Sequence, residues 1–145
     1  MKVNLGMFTT WEVYCKYPGL SNTPSNVVKR LLDSLHREGR TLKMDNYYQC
    51  PVFALDLLLE NTKSVGTVCA NRVGMPTDIT TGNFVQGQMD YRRQGHLICV
   101  RWMDKRAVHM LTTTHLPTMK LVTTRTGEKK TSLTAIMTTL STCLE

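Results

Sequence analysis

Asp45 is the residue best placed for chemistry, because it closes a short strand, Thr41 to Met44, and is followed by Asn46 and two tyrosines. A carboxylate at the C-terminal end of a strand in an α/β unit sits where such sheets present their ligands. Phosphoryl transfer by two metal ions needs several carboxylates holding the ions roughly 3.5–4 Å apart. One aspartate does not do that. On spacing alone, the simpler reading is a strand-end Asp forming a turn with Asn46.

The other polar residues point less clearly to chemistry. His36 and His115 have no nucleophile partner recognisable from spacing, and no GxSxG, P-loop or GxGxxG occurs. The five cysteines (Cys15, Cys50, Cys69, Cys99, Cys143) are scattered and odd in number, which fits reduced intracellular thiols better than a secreted disulfide scaffold. No CxxC is present. His96 and Cys99 are the one close His/Cys pair, too few for a zinc site, and both read as ordinary strand residues.

Basic residues are the stronger compositional signal. Net charge is +7, and residues 64–145 hold ten Lys/Arg against five Asp/Glu, whereas residues 1–63 hold eight against six. Such an excess suits either polyanion binding or a solvated basic surface. Arg92-Arg93, Lys105-Arg106 and Lys129-Lys130 fall at expected strand ends or turns, where they touch phosphates or simply face water. Arg72, Arg92, Arg93, Lys105 and Arg106 are the candidates for DNA contact. Trp102 and Phe84 read as core residues.

These side chains must be positioned by the surrounding elements. Phe8 to Tyr14 is rich in β-branched and aromatic residues and predicts a strand. Thr23 is a candidate cap with Pro24 at the first helical position, and Val27, Val28, Leu31, Leu32 and Leu35 recur at helical spacing up to Gly39. Pro51 opens a second, strongly apolar helix through Leu59, and Ser64 to Ala70 is the next strand. Strand, helix, strand, helix, strand implies an α/β unit with at least partly parallel strands. From Asn71 a glycine-punctuated loop leads to expected strands at 96–102, 107–113 and 119–125, a β meander. Residues 132–145, SLTAIMTTLSTCLE, form a nearly uncharged tail, either a short helix or unstructured. The length suits one domain or part of one. With 41% hydrophobic and 20% charged residues, the composition is that of a globular chain. No apolar run is long enough to span a membrane, and the first ten residues lack the apolar region of a signal peptide, so no membrane partner is expected.

Three ordered blocks carry a family resemblance: TLKMDNYYQCPVFALDLLL, SVGTVCANRVGMP and VRWMDKRAVHMLTTTH. They resemble successive segments of piggyBac-type transposases. Weaker similarity reaches back to Trp11-Glu12-Val13-Tyr14 and forward to about Lys130. The resemblance implies a partial ribonuclease H-like core (residues 1–70), a β-rich insertion (71–131) and a divergent tail (132–145). It further implies nuclear, metal-dependent excision and insertion of DNA at TTAA sites through three aspartates and Mg²⁺, with Asp45 matching the second aspartate and a metal ligand.

The departures from that family pattern are equally specific. The first aspartate would fall near Lys2, and the third belongs to a Gly-Gly-Val-Asp block that should follow Lys130. Neither is present. The expectation is an internal segment of a transposase, needing no cofactor in this form, without catalysis of its own and with at most weak non-specific DNA binding. An alternative is an interaction module for full-length transposase or another protein, through a sheet edge left unpaired by a missing first strand.

Overall fold

The computed structural model describes residues 2–4, 9–11, 21, 23–33, 39–114, 116–123, 127 and 129–133. Its centre is a five-stranded sheet. Strand β3 (Thr41–Met44) pairs in parallel with β4 (Lys63–Thr67), as the strand–helix–strand spacing predicts, with helix α2 (Pro51–Leu59) making the connection. The sheet then continues antiparallel through β7 (Ala107–Thr112), β6 (Leu97–Met103) and β5 (Met89–Gln94). One sheet therefore runs across the expected division at residue 70, because β7 pairs with β4. Two hairpins are separate: β1 (Lys2–Asn4) with β2 (Thr9–Trp11), and β8 (Met119–Thr123) with β9 (Lys129–Leu133). The expected meander thus splits, its last strand pairing with β9 instead of joining β7.

Helix α1 (Pro24–Leu32) begins as its sequence predicts, with Thr23 extended at the cap and Pro24 in the first turn, although the Thr23 side chain makes no capping bond. Val27, Val28, Leu31 and Leu32 bury one stripe of it against Leu42 and Met44 of β3 and Phe53 and Leu57 of α2. Each such side chain contributes about 1.5–3 kcal/mol when fully buried, so this cluster is what fixes β3 beneath the two helices. Ala54, Val68, Met75, Ile79, Leu97, Cys99 and Leu111 form a second cluster. A third unites Val65, Ile98, Val100, Trp102 and Met110. Trp102 is core, as expected, and Phe84 is half-buried.

Four elements were not expected: β1, α3, β5 and β9, the last of which carries Ser132 and Leu133 of the expected tail into a strand. Residues 71–95 read as loop, yet they hold α3 (Thr77–Thr81) and β5. His96 is exposed in the β5–β6 turn and is not a strand residue, while Cys99 is buried in β6. His36, His115, Cys15, Cys143 and residues 134–145 lie outside the described residues, and Phe8 to Tyr14 is described only at β2.

Candidate functional site

Asp45 follows directly on β3 and is exposed, with the chain turning sharply through residues 46–48 into α2. The turn is held locally in two ways. Asp45 Oδ1 accepts the Tyr47 N–H (3.1 Å), and the Asp45 carbonyl accepts the Gln49 N–H (3.1 Å). This is the Asx turn that an Asp-Asn pair favours. It uses one carboxylate oxygen and leaves Oδ2 without a partner among the described residues.

Distant residues hold the same turn. Gln49 is 0% exposed and donates from Nε2 to the Leu111 carbonyl of β7 at 3.5 Å, a long bond that leaves its buried Oε1 unpaired. Arg72, in the loop after β4, donates from Nη2 to the carbonyls of Asn46 (3.2 Å) and Tyr47 (2.8 Å). The Cys69 thiol approaches the Asn46 carbonyl at 3.8 Å. Tyr47 and Tyr48 pack edge to face, with ring centroids 5.0 Å apart.

Gly66 lets β4 lie close to the end of β3. A Cβ at that position would fall 1.9 Å from the Met44 carbonyl oxygen, so only glycine fits beside the residue that precedes Asp45. Met44, Gly66, Leu111, Cys99 and Arg92 form one row across the sheet. Four strand spacings of about 4.8 Å separate its ends, placing Arg92 roughly 19 Å from the β3 edge.

Among the described residues, no group of three or more His, Cys, Asp or Glu side chains converges. The other acidic groups have different surroundings. Asp56 and Glu60 face Lys29 across the α1–α2 contact at 4.0 and 3.7 Å. Asp78 and Asp90 hold Arg92 at 2.6 and 2.9 Å. The described residues therefore do not fit a two-metal centre, and they support no catalytic step through magnesium.

A family model, Transposase IS4, matches residues 15–139. The chain belongs to the Transposase IS4 family. The fold is also that of a solved cryo-EM structure of a piggyBac transposase synaptic complex with hairpin DNA, at TM-score 0.64 and 20% identity. That match covers 85% of this chain and 25% of the solved one, so this family member spans about a quarter of that transposase's length. The piggyBac-type resemblance and the α/β, ribonuclease H-like fold class both hold.

In this Transposase IS4 chain the five basic candidates divide by their surroundings. Arg72 is committed to the Asp45 turn, and Arg92 to Asp78 and Asp90, so neither is an open phosphate contact. The Arg92 bond in turn holds the Asp78 carboxyl below its usual range. Arg93 donates from Nε to the Gly95 carbonyl (2.8 Å) and remains exposed. Lys105 and Arg106 are exposed in the β6–β7 turn. A cleft of about 130 Å³ has Arg92 and Arg93 at its rim over Leu97, Cys99 and Leu111. Asp78 and Asp90 both pair with Arg92, which weakens any case for an anion at that arginine. Burial pushes the Cys99 thiol up to about 12.

Sequence reasoning missed Arg101. It is buried in β6, donates from Nη1 to the carbonyls of Ile79 and Gly82 (both 2.6 Å), and lies 4.4 Å from the Phe84 ring centroid. It fastens residues 79–84 to the sheet. The signal for it was its place inside the apolar run LICVRWM, where a solvated arginine is out of character.

Proposed function

We propose that this chain is a piggyBac transposase-derived domain that presents a single vestigial carboxylate, Asp45, and binds DNA weakly and without sequence preference. The observation that carries this reading is the Transposase IS4 match over residues 15–139, read with Asp45 exposed at the end of β3. Strand cleavage and joining need charge stabilisation on both the attacking and the leaving oxygen. One aspartate with an oxygen spent on its own turn is a poor start for that, so the reading is a domain that does not cut or join DNA by itself. A division into a ribonuclease H-like part and a β-rich insertion near residue 70 would then run through a shared sheet, because β4 pairs with β7. A nuclear location goes with that ancestry. Among the described residues, no helix is long and apolar enough to cross a membrane.

The test is a fluorescence-anisotropy titration on duplex DNA across salt, paired with a nicking and joining assay on TTAA-containing DNA with Mg²⁺ or Mn²⁺. Affinity should be micromolar or weaker and fall as salt rises, with about 0.9 in log–log slope for each phosphate contact. Tight TTAA-specific binding, or metal-dependent cleavage abolished by Asp45→Asn, overturns the reading.

A second reading, a protein-interaction module, draws on a different observation. Val52, Leu55 and Leu59 of α2 are 56%, 39% and 87% exposed, and β3 stands at the end of the five-stranded order. β1 packs beside β3, so the apolar helix face rather than the sheet edge is what suits a protein partner. Full-length transposase retained on immobilised chain, and released by Leu59→Lys, favours it over the first.

A further inference from the structure

The loop after β4 reaches back over the turn that carries Asp45. Arg72 is 26 and 25 residues from the carbonyls it grips, those of Asn46 and Tyr47. One guanidinium nitrogen thus takes hold of two consecutive carbonyls. The buried Arg72 Nε has no partner, so that edge of the group faces protein.

The first of those carbonyls belongs to the peptide whose N–H, on Tyr47, donates to Asp45 Oδ1. A bond to a peptide's oxygen fixes its plane and polarises its N–H, which strengthens the donor on the other side. Arg72, the Asn46–Tyr47 peptide and the Asp45 carboxylate are therefore linked in series. Cys69 on the same loop adds a weak contact to the same oxygen.

We infer that Arg72 is a positioning residue for Asp45: it locks the peptide that orients the carboxylate, and it is not a phosphate contact. The inference concerns the site of the proposed function and rests on that reading for its purpose, though not for its geometry.

Amide hydrogen exchange, read by NMR on the full chain without DNA or metal, tests it. Arg72→Met keeps the aliphatic stem and removes the donor, whereas Arg72→Lys keeps a cationic donor able to bridge both carbonyls. In Arg72→Met, exchange at the Tyr47 and Gln49 amides should accelerate by about tenfold or more, while Val100 in β6 keeps its protection. Arg72→Lys should stay within about threefold of the unaltered chain. Equal loss at Val100 would reveal a general packing role and overturn the inference. Unchanged Tyr47 exchange, or identical behaviour of the two variants, would overturn it as well. In the anisotropy titration, a salt slope reduced by about one unit in Arg72→Met would make Arg72 a phosphate contact and end the inference. Should the chain bind no DNA, the proposed function fails while the exchange result still decides the role of Arg72.

Discussion

A single methyl group added at residue 66 should distort the strand that carries the candidate site. The Cβ of Gly66→Ala would lie 1.9 Å from the Met44 oxygen, 2.8 Å from its carbonyl carbon and 3.2 Å from its nitrogen. All three are backbone atoms, so no rotamer change relieves the overlap, and the Met44 carbonyl must shift by more than about 1 Å to restore ordinary contact. Met44 is paired to Gly66 in the β3–β4 ladder and immediately precedes Asp45, so the shift falls on the site. Overpacking of this kind costs about 1–3 kcal/mol, and a backbone obstacle argues for the upper end. At about 2–4 °C per kcal/mol for a chain of this size, the melting temperature should drop by about 6–12 °C. Gly95→Ala is the control. It sits at φ +57° with nothing within 4 Å, so only left-handed backbone strain of about 1 kcal/mol applies. Thermal unfolding followed by circular dichroism measures both. If Gly66→Ala melts no lower than Gly95→Ala, β3 and β4 do not approach that closely and the reasoning fails.

Two further outcomes follow from buried polar groups. Arg101→Met leaves the carbonyls of Ile79 and Gly82 without their donor, so it should destabilise the fold by about 2 kcal/mol and open residues 77–88 to limited proteolysis; an unchanged digestion pattern would show that Arg101 does not hold that segment. Burial and the neighbouring Arg101 charge hold the His109 imidazole below its ordinary value. As pH falls, the unfolded chain, with a histidine near about 6.5, therefore takes up its proton first, and stability declines from about that pH down to the lower folded value. His109→Gln should flatten the stability–pH curve on the acid side of the ordinary histidine range, and an unaltered slope would assign that dependence to other groups.

What could be read from the sequence depended on how far apart the partners lie. The β3–α2–β4 unit was readable because each element carries its own signal: Pro51 at the helix start, an apolar helix and two short strands with β-branched residues. Strand β5 was not, since MDYRRQ is exposed along most of its length and exists by pairing with β6 and not by burying a face. Helix α3 is five residues of TDITT that bury only Ile79, too short for any periodicity. Asp45 was singled out by its strand-end position and by its match to the second aspartate of the resembled family, whereas what holds it comes from Arg72 and Leu111, residues that spacing does not connect to it.

The same long-range bonds change what the charge count means. Residues 64–145 carry ten basic side chains, and treating each as a phosphate contact would imply a steep salt dependence. Arg72, Arg92 and Arg101 are instead occupied by a turn, by two carboxylates and by a helix end. Of the five candidates for DNA contact, Arg93, Lys105 and Arg106 are the exposed cations held neither by a carboxylate nor by the Asp45 turn, and they sit in the β5–β6 and β6–β7 hairpins rather than around Asp45. Three contacts at about 0.9 each supply a log–log slope of only about −3. Charges that are spread between two turns and set apart from the carboxylate suit loose association with a DNA backbone better than delivery of one bond to one aspartate.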